Sequence, residues 1–255
     1  MNYLENKTAL VTGASSGIGY EIVKYISKFN MKIIVTARRE NNLNQLKKEV
    51  ENNSNSEVII LVKDLAKPES PQEIYDFCLN NNLQVDFLVN NAGYGFTSDF
   101  DTYDLNKLDD FMNVLLNSLV KLTRLFLKDM KERKSGKILQ VSSIAGIIPS
   151  GSGAIGIYGN IKNFINEFTI TLNSTYKKFN IDICALCPGF TETGFNERAG
   201  FNMQYSDVPS PFLMSAKDVA IQGVNACLSG KEIFVVKGGF TVSYTHLTLP
   251  TKRIV

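Results

Sequence analysis

Short apolar runs alternate with longer amphipathic stretches along most of this sequence. Seven of the apolar runs have the length and composition of buried strands, at residues 8–12, 32–36, 58–62, 87–89, 138–141, 181–186 and 233–236. Helical spacing between them predicts helices at residues 18–29, 43–50, 73–79, 105–130, 157–176 and 216–228. Strands that are apolar on both faces and alternate with helices are typical of a parallel sheet that helices cover on both sides. The sequence therefore predicts an α/β, doubly wound fold with a seven-stranded parallel sheet.

One domain is predicted for residues 1–241, because a chain of 255 residues that is 44% hydrophobic can bury one large core. Residues 242–255 resemble the translation of a transposon-type adapter used in sequencing libraries, so we expect a non-native tail; the alternative is a native strand. The single histidine, His246, lies in this tail. Without it, hydrolases that use a histidine base and most zinc enzymes are excluded.

Composition further limits where the protein can act and what it can bind. No apolar segment approaches the roughly 20 residues of a membrane span, and no secretory signal is visible, so a cytoplasmic protein without a membrane partner is expected. The net charge is +2 and no run is both basic and aromatic, which argues against nucleic-acid binding. Cys184 and Cys187 have a redox-like spacing, but they lie in one predicted strand and point to opposite faces, which favours core packing.

A glycine-rich turn follows the first predicted strand and opens the first helix. Its glycines, Gly13, Gly17 and Gly19, allow a tight turn and leave the helix N-terminus open to a phosphate. The spacing differs from the ordinary dinucleotide fingerprint, and a purely structural turn is the alternative. The residues predicted to contact a cofactor here are Gly13, Ser15, Ser16, Gly17, Ile18 and Gly19.

Four further groups of residues follow later strands, where the carboxyl ends of parallel strands form one ligand-binding edge. They are Asn90-Asn91-Ala92-Gly93, Ser142-Ser143, the pair Tyr158 and Lys162, and Pro188-Gly189 with Thr193. Tyr158 and Lys162 are four residues apart and share a helix face, although such a pair is often an ordinary surface pair.

From about residue 7 to residue 239, the sequence resembles the short-chain dehydrogenase/reductase family. The resemblance rests on five motifs that occur in the family's order: TGxxxGxG, NNAG, a strand-ending Ser, YxxxK and PGxxxT. The resemblance implies a Rossmann fold and hydride transfer between NAD(P) and a carbonyl or alcohol. It assigns Ser143 to the substrate oxygen and makes Tyr158 the general acid or base. Lys162 would lower the pKa of the phenol and bind the nicotinamide ribose. Asn117 would hold a water that links the lysine to solvent.

The resemblance also assigns cofactor contacts: Asp64 would meet the adenine, and Thr193 the nicotinamide carboxamide. The further cofactor residues are Arg38, Arg39, Asn91, Ala92, Gly93, Tyr158, Lys162, Pro188, Gly189 and Thr191. The second strand ends at Ala37, where NAD-preferring relatives carry an acidic residue. The arginines that follow it suit a 2′-phosphate, which predicts NADP rather than NAD; two solvated arginines are the alternative.

Residues 190–214 are rich in aromatic and methionine side chains and resemble the family's substrate loop, which predicts an apolar substrate. The same side chains would equally serve to anchor the loop. Tyr94 and Phe96 are placed in the same pocket. The helices at 105–130 and 157–176 carry excess apolar surface, and relatives pair these helices between subunits, so a homodimer or homotetramer is expected.

Two departures from the family pattern stand out. The spacing from Ser143 to Tyr158 is a couple of residues longer than usual, through the loop at 149–153, so either Ser142 or Ser143 is the catalytic serine; the family favours Ser143. Asn160 and Ile161 stand where relatives have small residues, and their bulk could disturb packing behind the cofactor. A catalytically idle NADP-binding sensor or subunit is the alternative function.

Overall fold

A seven-stranded parallel sheet forms the centre of the computed structural model, which describes residues 3–95, 100–148, 156–193, 195 and 213–236. Its strands are β1 (Thr8–Thr12), β2 (Lys32–Ala37), β3 (Glu57–Val62), β4 (Phe87–Asn90), β5 (Gly136–Val141), β6 (Ile181–Cys187) and β9 (Ile233–Val235). Their spatial order is β3-β2-β1-β4-β5-β6-β9, and all neighbours are parallel. Two short strands, β7 (Thr191–Glu192) and β8 (Met214–Ser215), pair with each other beside this sheet.

Helices follow the strands in the predicted alternation. They are α1 (Gly17–Ile26), α2 (Glu40–Asn53), α3 (Ser70–Asn80), α4 (Leu105–Met112), α5 (Ser118–Glu132), α6 (Gly156–Tyr176) and α7 (Ala216–Leu228). A π-helical turn, Asn113–Asn117, joins α4 directly to α5. Short 3-10 turns lie at Ser27–Phe29, Phe100–Thr102, Ile144–Gly146 and Lys177–Phe179.

Two hydrophobic cores lie on opposite faces of the sheet. Ala9 and Val11 of β1 pack in the core that α1, α2 and α7 cover, whereas Leu10 packs in the core that α3 and α5 cover. Successive residues of a strand point to opposite faces, so a strand buried on both sides is apolar throughout. A third cluster, which includes Phe111 and Ile161, joins α4 and α5 to α6.

The chain reverses its direction of travel across the sheet between β3 and β4. β2 and β3 lie to one side of β1, while β4 pairs with the other side of β1 and the later strands continue outward from it. In sheets of this kind the ligand binds in the crevice at the carboxyl ends of the strands, beside this switch point. The topology therefore fixes where the site must lie.

The predicted fold class and all seven predicted strands are confirmed. The predicted single helix at 105–130 is wrong in one respect, because the π-helical turn divides it. β7 and β8 were not predicted, since strands of two residues carry no periodic signal. Within the described ranges, no helix has both the length and the apolar character that a membrane span needs. The loop at 149–153, the tail at 242–255 with His246, and most of the segment 190–214 lie outside the described residues.

Candidate active site

A cavity of about 650 Å³ lies at the carboxyl edge of the sheet. Its lining comes from the residues that follow β1, β2, β3, β4, β5 and β6, together with α6. This volume is typical of sites for cofactors and small molecules. Every predicted site residue lines the cavity except Gly19 and Asn117.

The glycine-rich turn after β1 is shaped for close approach. Gly13 and Gly17 have φ angles of +66° and +61°, which disfavour residues with a side chain. A Cβ on Gly13 would lie 2.8 Å from the Cα of Ala92, and one on Gly17 would lie 3.0 Å from the Cβ of Thr193. α1 begins at Gly17, and its N-terminus opens on the cavity. A dinucleotide diphosphate fits this cradle, because unbonded N–H groups and the helix dipole attract anions there.

Gly19 has a packing role instead. A Cβ at this position would collide with the carbonyl oxygen of Gly13 and the side-chain amide of Asn91. Glycine here lets α1 pack directly against the switch point.

Hydrogen bonds join the turns after β1 and β4 across the switch point. The Thr12 hydroxyl accepts from the backbone N–H groups of Asn91 and Ala92, both at 3.0 Å. In return, the Asn91 amide donates to the carbonyl oxygens of Thr12 and Gly13, at 2.9 and 3.2 Å. The NNAG segment therefore holds the glycine-rich turn in place.

Two arginines lie at one end of the cavity. The Arg39 guanidinium donates through Nη2 to the hydroxyls of Ser15 and Ser16, at 2.9 and 2.8 Å. Arg38 is 69% exposed, and its Nη1 lies 4.0 Å from a carboxylate oxygen of Asp64. Arg39 is thus held beside the glycine-rich turn, and Arg38 faces the residue that the sequence assigns to the adenine.

The other end of the cavity holds Ser143, Tyr158 and Lys162. The Ser143 side chain acts on the Tyr158 phenol in the direction that lowers its pKa, and both side chains line the cavity. The Lys162 ammonium donates to the Val141 carbonyl at 2.8 Å and lies 5.4 Å from the centre of the Tyr158 ring. The Ser142 hydroxyl donates to the Lys162 carbonyl at 3.0 Å. Both serines line the cavity, but only Ser143 is brought to Tyr158.

Burial dominates the acid–base properties of this group. It raises the pKa of the Tyr158 phenol to about 12, while the Ser143 side chain acts in the lowering direction. Burial also lowers the pKa of the Lys162 ammonium to about 8. The sequence assigns the lowering of the Tyr158 pKa to Lys162, but its ammonium is bonded to the Val141 carbonyl, and Ser143 is the group that acts in the lowering direction.

Asn117 is not brought to the cavity. Its side chain is exposed, and its Nδ2 donates to Oδ1 of Asn113 at 2.8 Å. The π-helical turn explains this placement, because an i→i+5 turn rotates the residues after it relative to a regular helix. Val114 of the same turn lines the cavity, and the Asn113 amide donates to the Ala66 carbonyl at 3.0 Å. No periodic signal in the sequence marks this turn.

The two bulky residues that depart from the family pattern, Asn160 and Ile161, do not disturb the cavity. Asn160 is exposed, and Ile161 is buried in the cluster between α6 and the α4–α5 run. Neither residue lines the cavity. The extra bulk fills space between helices rather than space behind a cofactor.

Apolar side chains surround Tyr158 on its open side. The Phe195 ring lies 5.7 Å from the Tyr158 ring, and Tyr94 packs edge-on against Phe111 at 5.3 Å. The cavity residues of this apolar wall are Tyr94, Ile144, Ala145, Ile148, Phe190 and Phe195. Phe96, predicted for the same pocket, lies outside the described residues.

The cysteines behave as core residues. All four are free and buried, and the part of the chain that the structure describes contains no cluster of residues suited to a metal ion. Cys184 packs in the core under α1 and α7, whereas the Cys187 thiol contacts Asn166 of α6. The predicted opposite orientation of the two side chains is confirmed.

Comparisons with known proteins give a consistent family. A family model described as short chain dehydrogenase matches residues 7–203. The very-long-chain 3-oxoacyl-CoA reductase of Anas platyrhynchos is 34% identical over 191 residues, which are 72% of this chain and 60% of that protein. The Homo sapiens protein of the same name is 27% identical over 236 residues, which are 90% of this chain and 73% of that protein.

Solved structures share the fold. A short-chain dehydrogenase from Sphingobium yanoikuyae in complex with NADPH has a TM-score of 0.84 at 22% identity, covering 94% of this chain and 92% of that one. L-Sorbose reductase from Gluconobacter frateurii, complexed with NADPH and L-sorbose, has a TM-score of 0.81 at 23% identity, covering 94% and 98%. Because the family model spans most of the sequence, the chain belongs to the short-chain dehydrogenase/reductase family of NAD(P)-dependent oxidoreductases.

Proposed function

We propose that the chain transfers a hydride between NADP(H) and a carbonyl or secondary alcohol of an apolar small molecule, with Tyr158 as general acid and base. One observation carries this proposal: Ser143, Tyr158 and Lys162 meet at one end of a cavity whose other end presents Arg38 and Arg39. The glycine-rich turn lines the same cavity, and a Cβ at Gly13 or Gly17 would lie within 3.0 Å of a neighbouring atom, so glycine keeps this turn open for a diphosphate.

The residues at the catalytic end divide the work of carbonyl reduction. The glycine-rich turn, Arg39 and Lys162 would hold NADPH, which would supply the hydride for the carbonyl carbon. Ser143 donates a hydrogen bond to the carbonyl oxygen and Tyr158 gives that oxygen its proton, so the product is a neutral alcohol. Lys162 offsets the negative charge that the phenolate then carries, and alcohol oxidation runs through the same residues in reverse.

The preference for NADP rests on Arg39. Its guanidinium donates to two serine hydroxyls of the glycine-rich turn. A 2′-phosphate bound there can accept hydrogen bonds from the remaining N–H groups of the guanidinium. Ala37, at the end of β2, offers no carboxylate to the hydroxyls of an adenosine ribose. The two solved relatives described above are complexes with NADPH.

Replacing Arg39 with Ala tests this preference. We expect the wild-type chain to have a higher kcat/KM for NADPH than for NADH, and Arg39→Ala to reduce that ratio by about 10- to 100-fold, as for loss of a hydrogen bond to a charged group. Arg124→Ala is the matched control, because Arg124 is exposed on α5 and does not line the cavity. A wild-type preference for NADH, or an unchanged ratio in Arg39→Ala, would contradict the proposal.

The assay is the loss of NADPH absorbance with a panel of aldehydes and ketones. The apolar wall beside Tyr158 favours apolar ketones over polar ones such as L-sorbose. Thioesters of 3-oxoacyl chains belong in the panel, since the curated relatives are named for reducing them. No turnover of any carbonyl in the panel, by a folded chain that binds NADPH, would favour a binding module instead.

We also propose that copies of the chain associate. Phe164 of α6 is 45% exposed and stacks on Phe168 at 5.6 Å, and Leu105 of α4 is 74% exposed. These side chains continue the cluster between α6 and the α4–α5 run, and a second copy would bury them. A stable monomer in light scattering would contradict this proposal.

A further inference from the structure

Asn166 lies in α6, four residues after Lys162 and eight after Tyr158, and it is only 3% exposed to solvent. Both ends of its side-chain amide are used. Nδ2 donates to the carbonyl oxygen of Gly146 at 3.2 Å, and Oδ1 accepts from the Cys187 thiol at 3.4 Å. One buried side chain thus joins α6 to the end of β6 and to the turn that follows Ser143.

The contact with Cys187 leads back to Ser143. Burial raises the pKa of the Cys187 thiol to about 12, so the thiol keeps its proton and can donate to Asn166. The Ser143 backbone acts on the same thiol in the direction that lowers its pKa, and the Gly146 N–H donates to the Ser143 carbonyl at 3.1 Å. Asn166 therefore contacts both the thiol whose pKa the Ser143 backbone influences and the turn that is bonded to the Ser143 carbonyl.

The contact with Gly146 holds the other end of the same turn. Ser143 precedes the 3-10 turn Ile144–Gly146, and a Cβ on Gly146 would lie 2.6 Å from the backbone nitrogen of Asn163. The turn therefore packs directly on α6. Asn163 also donates to the Gly146 carbonyl, at 2.9 Å, but its side chain is exposed and makes no bond to Cys187.

We propose that Asn166 is a positioning residue that sets the Ser143 hydroxyl against the Tyr158 phenol by fixing both ends of the turn at 143–146. This inference rests on the proposed function, because it takes Ser143 and Tyr158 as the groups that meet the substrate oxygen. Asn166 itself does not line the cavity and touches no reacting atom.

Asn166→Ala removes both bonds and tests the inference. We expect kcat for alcohol oxidation to fall by about 10- to 100-fold, as for small displacements of reacting groups. The Kd for NADPH should stay within about two-fold, since the arginine end of the cavity is not coupled to this turn. The rising limb of the pH profile of kcat should move to higher pH, because a displaced Ser143 no longer lowers the pKa of Tyr158. Among the residues that the structure describes, the other ionisable groups that face the phenol are Cys187 of β6 and Lys162 of α6.

Asn173→Ala is the matched control for a purely structural effect. Asn173 is a buried amide of the same helix that accepts from the Ile183 N–H at 3.0 Å and donates to Glu232 at 3.4 Å. This variant should lose stability but keep the pH limb and most of kcat. Cys187→Ala tests the thiol link separately: it should move the limb in the same direction as Asn166→Ala, whereas Cys187→Ser keeps a donor and should stay near wild type.

A folded Asn166→Ala variant with wild-type kcat and an unmoved pH limb would overturn the inference. So would equal losses of kcat in Asn166→Ala and Asn173→Ala without a shift of the limb. If Asn166→Ala does not fold, the cysteine variants decide, and identical profiles for Cys187→Ala and wild type overturn it. An inactive wild-type chain would count against the proposed function instead; amide hydrogen exchange at residues 142–148, faster in Asn166→Ala than in Asn173→Ala, would still support the positioning role.

Discussion

Replacing Tyr158 with Phe is expected to lower kcat by about 10²- to 10⁴-fold, the usual contribution of a general acid or base. The substitution removes only the hydroxyl, and the phenyl ring keeps its contact with the Phe195 ring. The fold should therefore stay unchanged, and the variant should still bind NADPH. Steady-state kinetics in both directions, with NADPH binding followed by fluorescence, measure the two effects separately.

Tyr176→Phe is the control for this variant. Tyr176 ends the same helix, and its ring packs on Phe179 at 6.2 Å, away from the cavity. Its kcat should equal that of the wild type. If Tyr158→Phe turned over substrate as fast as Tyr176→Phe, Tyr158 would not be the acid–base group. If the chain were a catalytically idle NADP-binding module, both variants would bind NADPH as the wild type does, and none of the three proteins would turn over substrate.

Lys162→Met should inactivate the chain and stabilise it at the same time. Loss of a charge beside the phenolate should lower kcat by about 10²- to 10³-fold. The burial that lowers the Lys162 pKa from 10.5 to about 8 corresponds to roughly 3 kcal/mol of lost folding free energy at pH 7. The hydrogen bond to Val141 that the variant loses is worth about 1 kcal/mol. The net expectation at pH 7 is a gain of roughly 2 kcal/mol in the free energy of unfolding.

The pH dependence of this gain has a definite sign. Below pH 8 the lysine is protonated in both the folded and the unfolded chain, so the folded chain carries the whole penalty. Between pH 8 and 10.5 the unfolded chain binds more protons, and the stability of the wild type rises towards that of Lys162→Met. Above pH 10.5 the penalty has gone and only the lost hydrogen bond remains, so the wild type should be the more stable by about 1 kcal/mol.

Urea denaturation of both proteins across this range measures the difference. Lys121→Met is the control, since Lys121 also donates to a backbone carbonyl, that of Pro68 at 2.9 Å, but is exposed on α5. A difference in stability between Lys162→Met and wild type that does not change with pH would show that the buried charge is not its source.

The strands, the cradle of glycines and the Tyr158–Lys162 pair could be predicted because each has a local signal. Runs that are apolar on both faces mark buried parallel strands. Gly13 and Gly17 adopt positive φ angles, which glycine tolerates better than other residues, so their residue type itself indicates the turn. The i, i+4 spacing placed Tyr158 and Lys162 on one helix face. The same spacing extends to Asn166, so a search for a third polar residue on that face would have found it.

Other features depend on contacts that leave no local trace. The assignment of Asn117 came from the family resemblance, and nothing in the sequence marked the π-helical turn in which its side chain is exposed. The different surroundings of Ser142 and Ser143 depend on the position of α6, because the Ser142 hydroxyl donates to the Lys162 carbonyl and the Ser143 side chain acts on the pKa of Tyr158. The cytoplasmic location, the self-association and the non-native tail stay predictions.

The hydrogen bonds between Thr12 and Asn91 also bear on the lifetime of the folded state. The two residues are far apart in the sequence, so the cofactor crevice exists only after β1 and β4 have paired. A ligand that binds only this folded state stabilises the whole chain, by about 2.7 kcal/mol at a concentration of about one hundred times Kd. In a cell, the supply of cofactor would then govern the survival of the protein against proteolysis as well as its rate of turnover.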